Sequence, residues 1–237
     1  MKGKLIAFTL FSICFGCKKD NPAQRATGFL NLNRYYYTDF ADTVKAERRN
    51  EYAKAGFLMD NYYKDAGAVK YGDSNLYNTS MILYYLSYKP DEPVPVFNHA
   101  FDGGQTWAVA GNAQNDIPAF STPAPPFPSF LDTRFDTLPV IKKSQNFNIS
   151  WDNTVPSDSI SIGLYQSHTN VQSGTIAGNI SSYTFTSAQL SIFSTSASTL
   201  SNVLIIEGRT YKYITVNGIK VTVENYAKRT CNVKFIN

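Results

Sequence analysis

The fold class is decided by the stretch YKYITVNGIKVTV at residues 211–223. Its two arms, residues 211–216 and 219–223, are rich in β-branched and aromatic residues, which favour strands. Asn217-Gly218 separates the arms. This dipeptide readily adopts the positive φ angles of a two-residue hairpin turn. The stretch therefore predicts an antiparallel β-hairpin close to the C-terminus.

Strand patterns recur on both sides of this hairpin. Ile160, Ile162 and Leu164 alternate with polar or small neighbours, which predicts a strand with one buried face. Thr186 or Ser187 is placed to cap a brief helical turn. Further strands are predicted at residues 140–151, 183–185, 203–206 and 231–236. About seven short strands with regular turns predict a mainly β fold of the immunoglobulin-like β-sandwich type, with one or two short helices.

The N-terminal half is also β-like, with one segment that is ambiguous. Residues 28–37, 67–71 and 81–88 predict strands, because apolar and aromatic side chains dominate them. Residues 46–55 contain good helix formers followed by Gly56, so we predict a short helix there, although polar–apolar alternation also fits.

Proline placement suggests how the chain is divided. Most of the 11 prolines lie between Pro90 and Pro139. A proline lacks a backbone donor, so these stretches are expected at sheet edges or in ordered crossings. We place a boundary there, with an N-terminal β-rich region at residues 27–100 and a C-terminal β-sandwich at residues 101–237. One large domain and two packed β domains both remain open.

The first residues have the pattern of an export signal. Lys2 and Lys4 precede an uncharged, mostly apolar run at residues 5–15, and Gly16-Cys17 follows. A transmembrane helix needs about 20 apolar residues, and this run is near half that. We predict a signal peptide at residues 1–16 and a flexible tether at residues 17–26.

Gly16-Cys17 resembles the lipobox of bacterial lipoproteins, and the Cys-Lys-Lys-Asp start is similar to lipoproteins of the Bacteroidota. The resemblance implies that Cys17 carries the lipid, a palmitate-type acyl anchor, and that the protein is held at the outer membrane of the cell envelope. The periplasmic and the surface face both stay open. Plain secretion is the alternative.

The second half is also similar to a group of Bacteroidota lipoproteins. The resemblance covers residues 106–237 and implies location and fold but no activity. It is carried by the segments WAVAG at 107–111, IPAF at 117–120, FPSF at 127–130, DSISI at 158–162 and FTSAQL at 185–190.

Charge and cysteine content exclude several classes of protein. Loss of Lys2 and Lys4 with the signal lowers the formal net charge from +4 to +2, and no basic stripe is present, so no nucleic-acid partner is predicted. After Cys14 leaves with the signal and Cys17 is lipidated, only Cys231 remains, so no intramolecular disulfide is expected. We interpret Cys231 as a buried small hydrophobe.

Motifs of catalysis and metal binding are missing from the sequence. His99 and His168 stand far apart without spaced partners, and there is no Gly-x-Ser-x-Gly elbow. We therefore predict no catalytic residue, no metal and no cofactor. A hydrolase is kept as an alternative that needs two carboxylates across a cleft.

A non-enzymatic binding role, with carbohydrate as the favoured ligand, is the leading functional hypothesis. Trp107, Trp151 and Tyr85 are the candidate stacking residues, although a tryptophan in a strand is more often part of the core. Thr43 and Thr137 lie in Asp-Thr-aliphatic triplets that look like O-glycosylation sites of exported Bacteroidota proteins. The rival hypothesis is an assembly lipoprotein that pairs with another envelope protein through a sheet edge, for which the strand at residues 231–236 is the candidate.

Overall fold

The computed structural model describes residues 26–41, 44–78, 84–87, 105–132, 135–195 and 201–237. These residues form a mainly β structure with several sheets, as predicted. The predicted signal peptide, Cys17, the predicted tether up to residue 25, and Thr43 lie outside the described residues.

The elements follow the chain in this order. The strands are β1 (Thr27–Ala41), β2 (Val44–Met59), β3 (Tyr62–Tyr63), β4 (Val69–Tyr71), β5 (Ser74–Asn75), β6 (Tyr77–Asn78), β7 (Tyr84–Ser87), β8 (Thr106–Val109), β9 (Phe120–Pro123), β10 (Val140–Lys142), β11 (Phe147–Ser150), β12 (Ser159–Gln166), β13 (Thr169–Gln172), β14 (Ile176–Ala177), β15 (Ser182–Phe185), β16 (Asn202–Val216), β17 (Ile219–Asn232) and β18 (Lys234–Ile236). The helices are α1 (Ser187–Leu190) and two short 3-10 turns, Ala113–Asn115 and Ser129–Asp132.

A long sheet runs through the molecule in the order β13-β12-β16-β17-β1-β2-β7-β6, with β14 beside β12 and β3 beside β2. β1 pairs in parallel with β17, from Thr27 opposite Lys220 to Thr38 opposite Cys231. The first described strand therefore lies in the same sheet as the last long hairpin. The predicted boundary, between residues 100 and 101, falls within residues 88–104, which are not described, so the division into regions remains a prediction.

The hairpin predicted at residues 211–223 is confirmed, and it is longer than expected. Asn217 and Gly218 form its turn with φ angles of 46° and 84°. β16 joins the predicted strands 203–206 and 211–216, because Gly208 and Thr210 keep the alternation of buried residues through the polar stretch between them.

The helix predicted at residues 46–55 is wrong, because the segment belongs to β2. β2 pairs with β1 along its whole length, from Thr27 opposite Leu58 to Ala41 opposite Val44. Ala53, Ala55 and Phe57 are buried at every second position. Helix propensity contributes at most about 0.7 kcal/mol per ordinary residue, so a long ladder with a buried face outweighs it.

Two hydrophobic cores lie along the same face of the long sheet. The first contains Leu30, Ala55 and Val221 from the long sheet, together with Val69 and Trp107 from the small sheet β5-β4-β8-β9. The second contains long-sheet residues of β12 and β16 packed against the pairs β10-β18 and β11-β15. Each core is thus enclosed by two β layers, which satisfies the need of a sheet to bury one face.

A polar seam separates the two cores. Arg34 Nε lies 2.5 Å from Glu51 Oε1, and both side chains are buried. The Arg34 guanidinium also stacks 4.1 Å from the Phe127 ring centroid. Thr210 donates to the Pro126 carbonyl at 2.5 Å, and Asn225 donates to that of Pro125. The proline cluster at residues 123–128 is therefore an ordered crossing, as predicted, held over the sheet by its carbonyls.

The C-terminal elements confirm some of the predictions from the sequence and refine others. Thr186 caps α1, and Gln189 completes a reciprocal capping box. Cys231 is buried between β16 and β1, and burial raises the pKa of its thiol to about 12, as expected for an inert core cysteine. The strand predicted at residues 231–236 is divided, because β17 ends at Asn232 whereas β18 begins at Lys234 and pairs in parallel with β10.

Candidate functional site

Both tryptophans belong to the cores, which corrects their assignment as stacking residues. Trp107 is 0% exposed and packs against Tyr71 with ring centroids 5.0 Å apart, and Trp151 is 5% exposed. Neither ring has a free face for a sugar. Trp107 lies at an inward position of β8 in the first core, and Trp151 directly follows β11 in the second core.

The other residues proposed from the sequence have different outcomes. The Tyr85 backbone pairs with Lys54 and Tyr77, but its side chain is outside the described part, so its role remains a prediction. Thr137 is exposed in a bend, next to Asp136, whose carboxylate lies 3.4 Å from Lys45 Nζ. This exposure is compatible with modification of Thr137. Cys17 and Thr43 stay predictions.

The face of the long sheet opposite the two cores, here called the outer face, carries the most distinctive side chains. It is formed by the positions of β1, β2, β12, β16 and β17 that alternate with the buried ones. The register places Arg209 beside Tyr226, Tyr226 beside Asn33, and Asn33 beside Tyr52. Polar and aromatic side chains from four adjacent strands thus form a continuous row.

Five side chains of this face form a group joined by hydrogen bonds and one ring contact, here called the outer-face cluster: Tyr52, Tyr35, Tyr226, Glu207 and Ser161. The Tyr35 and Tyr52 rings stack at 5.8 Å, and their hydroxyls are 3.0 Å apart. The Tyr226 ring is 5.8 Å from that of Tyr35, and its hydroxyl donates to Glu207 Oε2 at 2.7 Å. The Ser161 hydroxyl donates to Glu207 Oε1 at 3.1 Å.

A small pocket of about 140 Å³ lies at the Glu207 end of the cluster. Hydroxyl, carboxylate, guanidinium and phenol groups line it, from Ser159, Ser161, Thr175, Glu207, Arg209 and Tyr226. Arg209 is half exposed and pairs with Glu224, Nη1 to Oε1, at 3.3 Å. The pocket therefore offers a cationic donor, Arg209, and an anionic acceptor, Glu207, beside the ring of Tyr226.

Two tyrosine hydroxyls of the cluster, those of Tyr226 and Tyr35, are kept protonated by their surroundings. Burial, followed by the hydrogen bond to Glu207, raises the pKa of Tyr226 well above its ordinary value of 10.0. Burial and the hydrogen bond with Tyr52 raise the pKa of Tyr35 in the same direction. Both phenols stay protonated at neutral pH. They therefore act as hydrogen-bond donors and as apolar ring surfaces rather than as bases.

A second concavity, of about 590 Å³, lies between the loop at residues 110–119 and the turn residue Asn217. The loop is held from beneath by Asp65, whose carboxylate accepts from the Tyr84 hydroxyl at 2.6 Å, the Gly67 amide at 2.9 Å and Asn112 Nδ2 at 3.2 Å. These hydrogen bonds lower the pKa of Asp65, and the one from Tyr84 has the largest effect. No aromatic side chain lines this concavity, so it lacks the stacking surface of the outer-face cluster.

Each of the two concavities has one carboxylate among its described lining residues, that of Glu207 in the small pocket and that of Asp116 in the larger one. Within this described lining, neither holds the acid pair that glycoside hydrolysis uses. Across the described segments, no group of three or more metal-ligating side chains comes together.

Comparisons with known proteins add no assignment: no family model, no curated protein and no solved structure matches the chain. Among the described residues, no helix has the length and apolar character to cross a membrane.

Local sequence patterns reach only part of the cluster. Neighbouring residues on a strand alternate between its two faces, so some of the tyrosines at residues 35–37 must face outward. Glu207 and Tyr226 carry no such local signal. They meet because the β16–β17 register sets them two positions apart on neighbouring strands. Turn position and strand alternation together would have predicted this pairing.

Proposed function

We propose that this chain is a lipid-anchored lipoprotein of the bacterial envelope, of the Bacteroidota type and held at the outer membrane through Cys17. Its proposed role is non-enzymatic binding of a glycan at the outer-face cluster, on an immunoglobulin-like sandwich scaffold. The start of the chain supports the anchor part of the proposal. Two lysines precede an uncharged, mostly apolar run, and Gly16-Cys17 follows that run.

The observation that carries the glycan part is the juxtaposition of tyrosine rings with a hydrogen-bonded carboxylate. A sugar has apolar CH faces and a rim of hydroxyls. The rings of Tyr35, Tyr52 and Tyr226 supply apolar, rigid surface with polar tips. Glu207 supplies acceptors, and Arg209 supplies donors. The same site thus matches both parts of a sugar's chemistry.

The size of the pocket sets how the ligand would sit. At about 30 Å³ per water, 140 Å³ holds roughly four or five waters. That volume accepts one polar substituent rather than a whole ligand. The remainder of the glycan would lie along the tyrosine rings, so an oligosaccharide should bind better than a monosaccharide.

Glu207→Gln tests the proposal. A hydrogen bond to a charged group contributes about 1.5–3 kcal/mol, so this change should weaken glycan binding by about tenfold or more. Binding of the purified mature protein to a glycan array, followed by titration calorimetry of each hit, measures it. Asp136→Asn is the matched control, because it neutralises an exposed carboxylate outside the cluster, and it should bind as the parent does.

Two results would refute the glycan part of the proposal. One is a parent protein that binds nothing on arrays of envelope, host and plant glycans. The other is a Glu207→Gln variant with the parent's affinity for every glycan that binds. The first result requires a parent protein that unfolds cooperatively, and the second requires a variant with the parent's unfolding midpoint.

A second candidate function is assembly with another envelope protein by strand addition, and it is favoured by the free side of β16. β12 pairs with β16 only as far as Arg209. Within the described segments, no strand pairs with residues 210–216 on the side away from β17. An exposed ladder of this kind is where an incoming strand binds. The predicted edge at residues 231–236 is less suitable, because β16 and β1 flank Cys231 and β10 pairs with β18.

A further inference from the structure

One end of the long sheet lies where the described chain begins. Thr27, the first residue of β1, pairs with Lys220 of β17 on one side and with Leu58 of β2 on the other. The β16–β17 turn and the β2–β3 turn are therefore both at this end. Residues 58–63 and 211–220 together are here called the tyrosine tip.

Exposed aromatic side chains are concentrated at the tyrosine tip. Among the described residues, eight large hydrophobic side chains are exposed, and four of them are here: Tyr62, Tyr63, Tyr211 and Tyr213. Tyr62 and Tyr213 are 72% and 71% exposed. Half of these exposed side chains thus belong to one end of the sheet, and grouped exposed hydrophobic residues mark interaction sites.

The rings form two local groups, one on β16 and one between β3 and β1. Tyr211 and Tyr213 contact each other edge to face, with centroids 5.3 Å apart. Tyr63 packs edge-on to Phe29 at 6.4 Å. Phe29 and Tyr213 lie on either side of Thr222 in the same row across the sheet. The tip thus presents an aromatic band across neighbouring strands rather than isolated side chains.

Chain length ties this band to the anchor. Ten residues separate Cys17 from Thr27, and a fully extended chain of that length spans at most about 35 Å. The opposite end of the sheet, at Gln166 and Asn202, lies about 40 Å further along the strands at about 3.3 Å per residue. A lipid on Cys17 therefore keeps the tyrosine tip near the bilayer, whereas the far end is free to point away.

We infer that the tyrosine tip rests in the headgroup region of the bilayer that holds the Cys17 lipid. This inference depends on the lipid anchoring proposed above. Tyrosine has an apolar ring and a polar hydroxyl, and it is enriched where membrane meets water. The charges at the tip are mixed, with Lys212 and Lys220 against Asp60, so aromatic insertion rather than attraction to anionic lipid provides the contact. The anchor and the tip together fix the orientation of the outer face relative to the membrane.

Nitroxide accessibility in vesicles tests this contact. Thr215→Cys places a spin label on the exposed tip, and His168→Cys places one on the exposed β12–β13 turn at the opposite end. Buried Cys231 should not take up the label. The lipidated mature protein, which begins at Cys17, is inserted into phosphatidylethanolamine–phosphatidylglycerol vesicles. The ratio of collisions with oxygen to collisions with a water-soluble nickel chelate should be several-fold higher at position 215 than at position 168.

Removing the tyrosines provides the second arm. Tyr62→Ser combined with Tyr213→Ser, in the Thr215→Cys background, should lower the ratio at position 215 toward that at 168 while the protein stays with the vesicles. Equal ratios at the two positions in the parent would overturn the inference and leave the lipid anchor intact. Shielding of position 215 from both reagents would also overturn it, in favour of a protein partner. Failure of the protein to float with the vesicles would instead contradict the anchor.

Discussion

At the scale of single residues, the pair Arg34–Glu51 places two opposite charges inside the fold, in the polar seam between the cores. The two residues lie opposite each other on β1 and β2, and Phe127 covers the guanidinium. Glu51→Gln removes one charge and leaves the other buried. We expect it to lower the free energy of unfolding by about 3–5 kcal/mol, the usual cost of breaking a buried pair. Urea unfolding of the purified protein measures this.

Asp136→Asn again provides the matched control. Its carboxylate pairs with Lys45 at 3.4 Å on an exposed surface, where an ion pair contributes at most about 1 kcal/mol. The double change Arg34→Met with Glu51→Leu should recover most of the lost stability, since it removes both charges at similar volume. A Glu51→Gln midpoint equal to that of the control would show that the pair is not as desolvated as its burial indicates.

At the scale of elements, β16 decides whether the protein has an open edge. Tyr211 N–H donates to the Asp158 carboxylate at 2.7 Å, which ends the pairing with β12. If the assembly candidate is right, a photo-crosslinking residue at Thr215 should capture an envelope protein in cells, whereas one at His168 should not. Equal capture at both positions, or none at either, would speak against strand addition at β16.

The elements also show how far sequence patterns reach. The Asn217-Gly218 turn, the alternation in β12 and the Thr186 cap are local signals, and each predicted its element. The helix predicted at residues 46–55 failed because the deciding contact, the ladder between β1 and β2, is not visible in local propensity. The parallel pairing of β1 with β17 joins residues far apart in sequence, and no local pattern encodes it.

The candidate site, too, could be predicted only where its signal is local in sequence. Outward-facing tyrosines on β1 could be predicted from strand alternation, but the contact of Tyr226 with Glu207 needed the register of the long hairpin. The tryptophans were misassigned as stacking residues because a strand position alone does not tell which face is covered. The small sheet β5-β4-β8-β9 places Trp107 in the first core.

At the scale of the whole molecule, the long sheet organises everything else. One face carries two cores with a polar seam between them, and the outer face carries the tyrosine–glutamate cluster. The tyrosine tip forms one end of the long sheet, where β1 begins at Thr27. In the proposed envelope setting, the lipid and the tip hold the sheet at the membrane, and the outer-face cluster stands along its side where a glycan can reach it.

Mass spectrometry of the mature protein from its native envelope is the decisive test of the lipid anchor. We expect a first residue at Cys17 that carries acyl groups, with residues 1–16 removed. A chain that retains residues 1–16, or that begins at Cys17 with an unmodified thiol, would contradict the lipid anchor and the envelope role built on it.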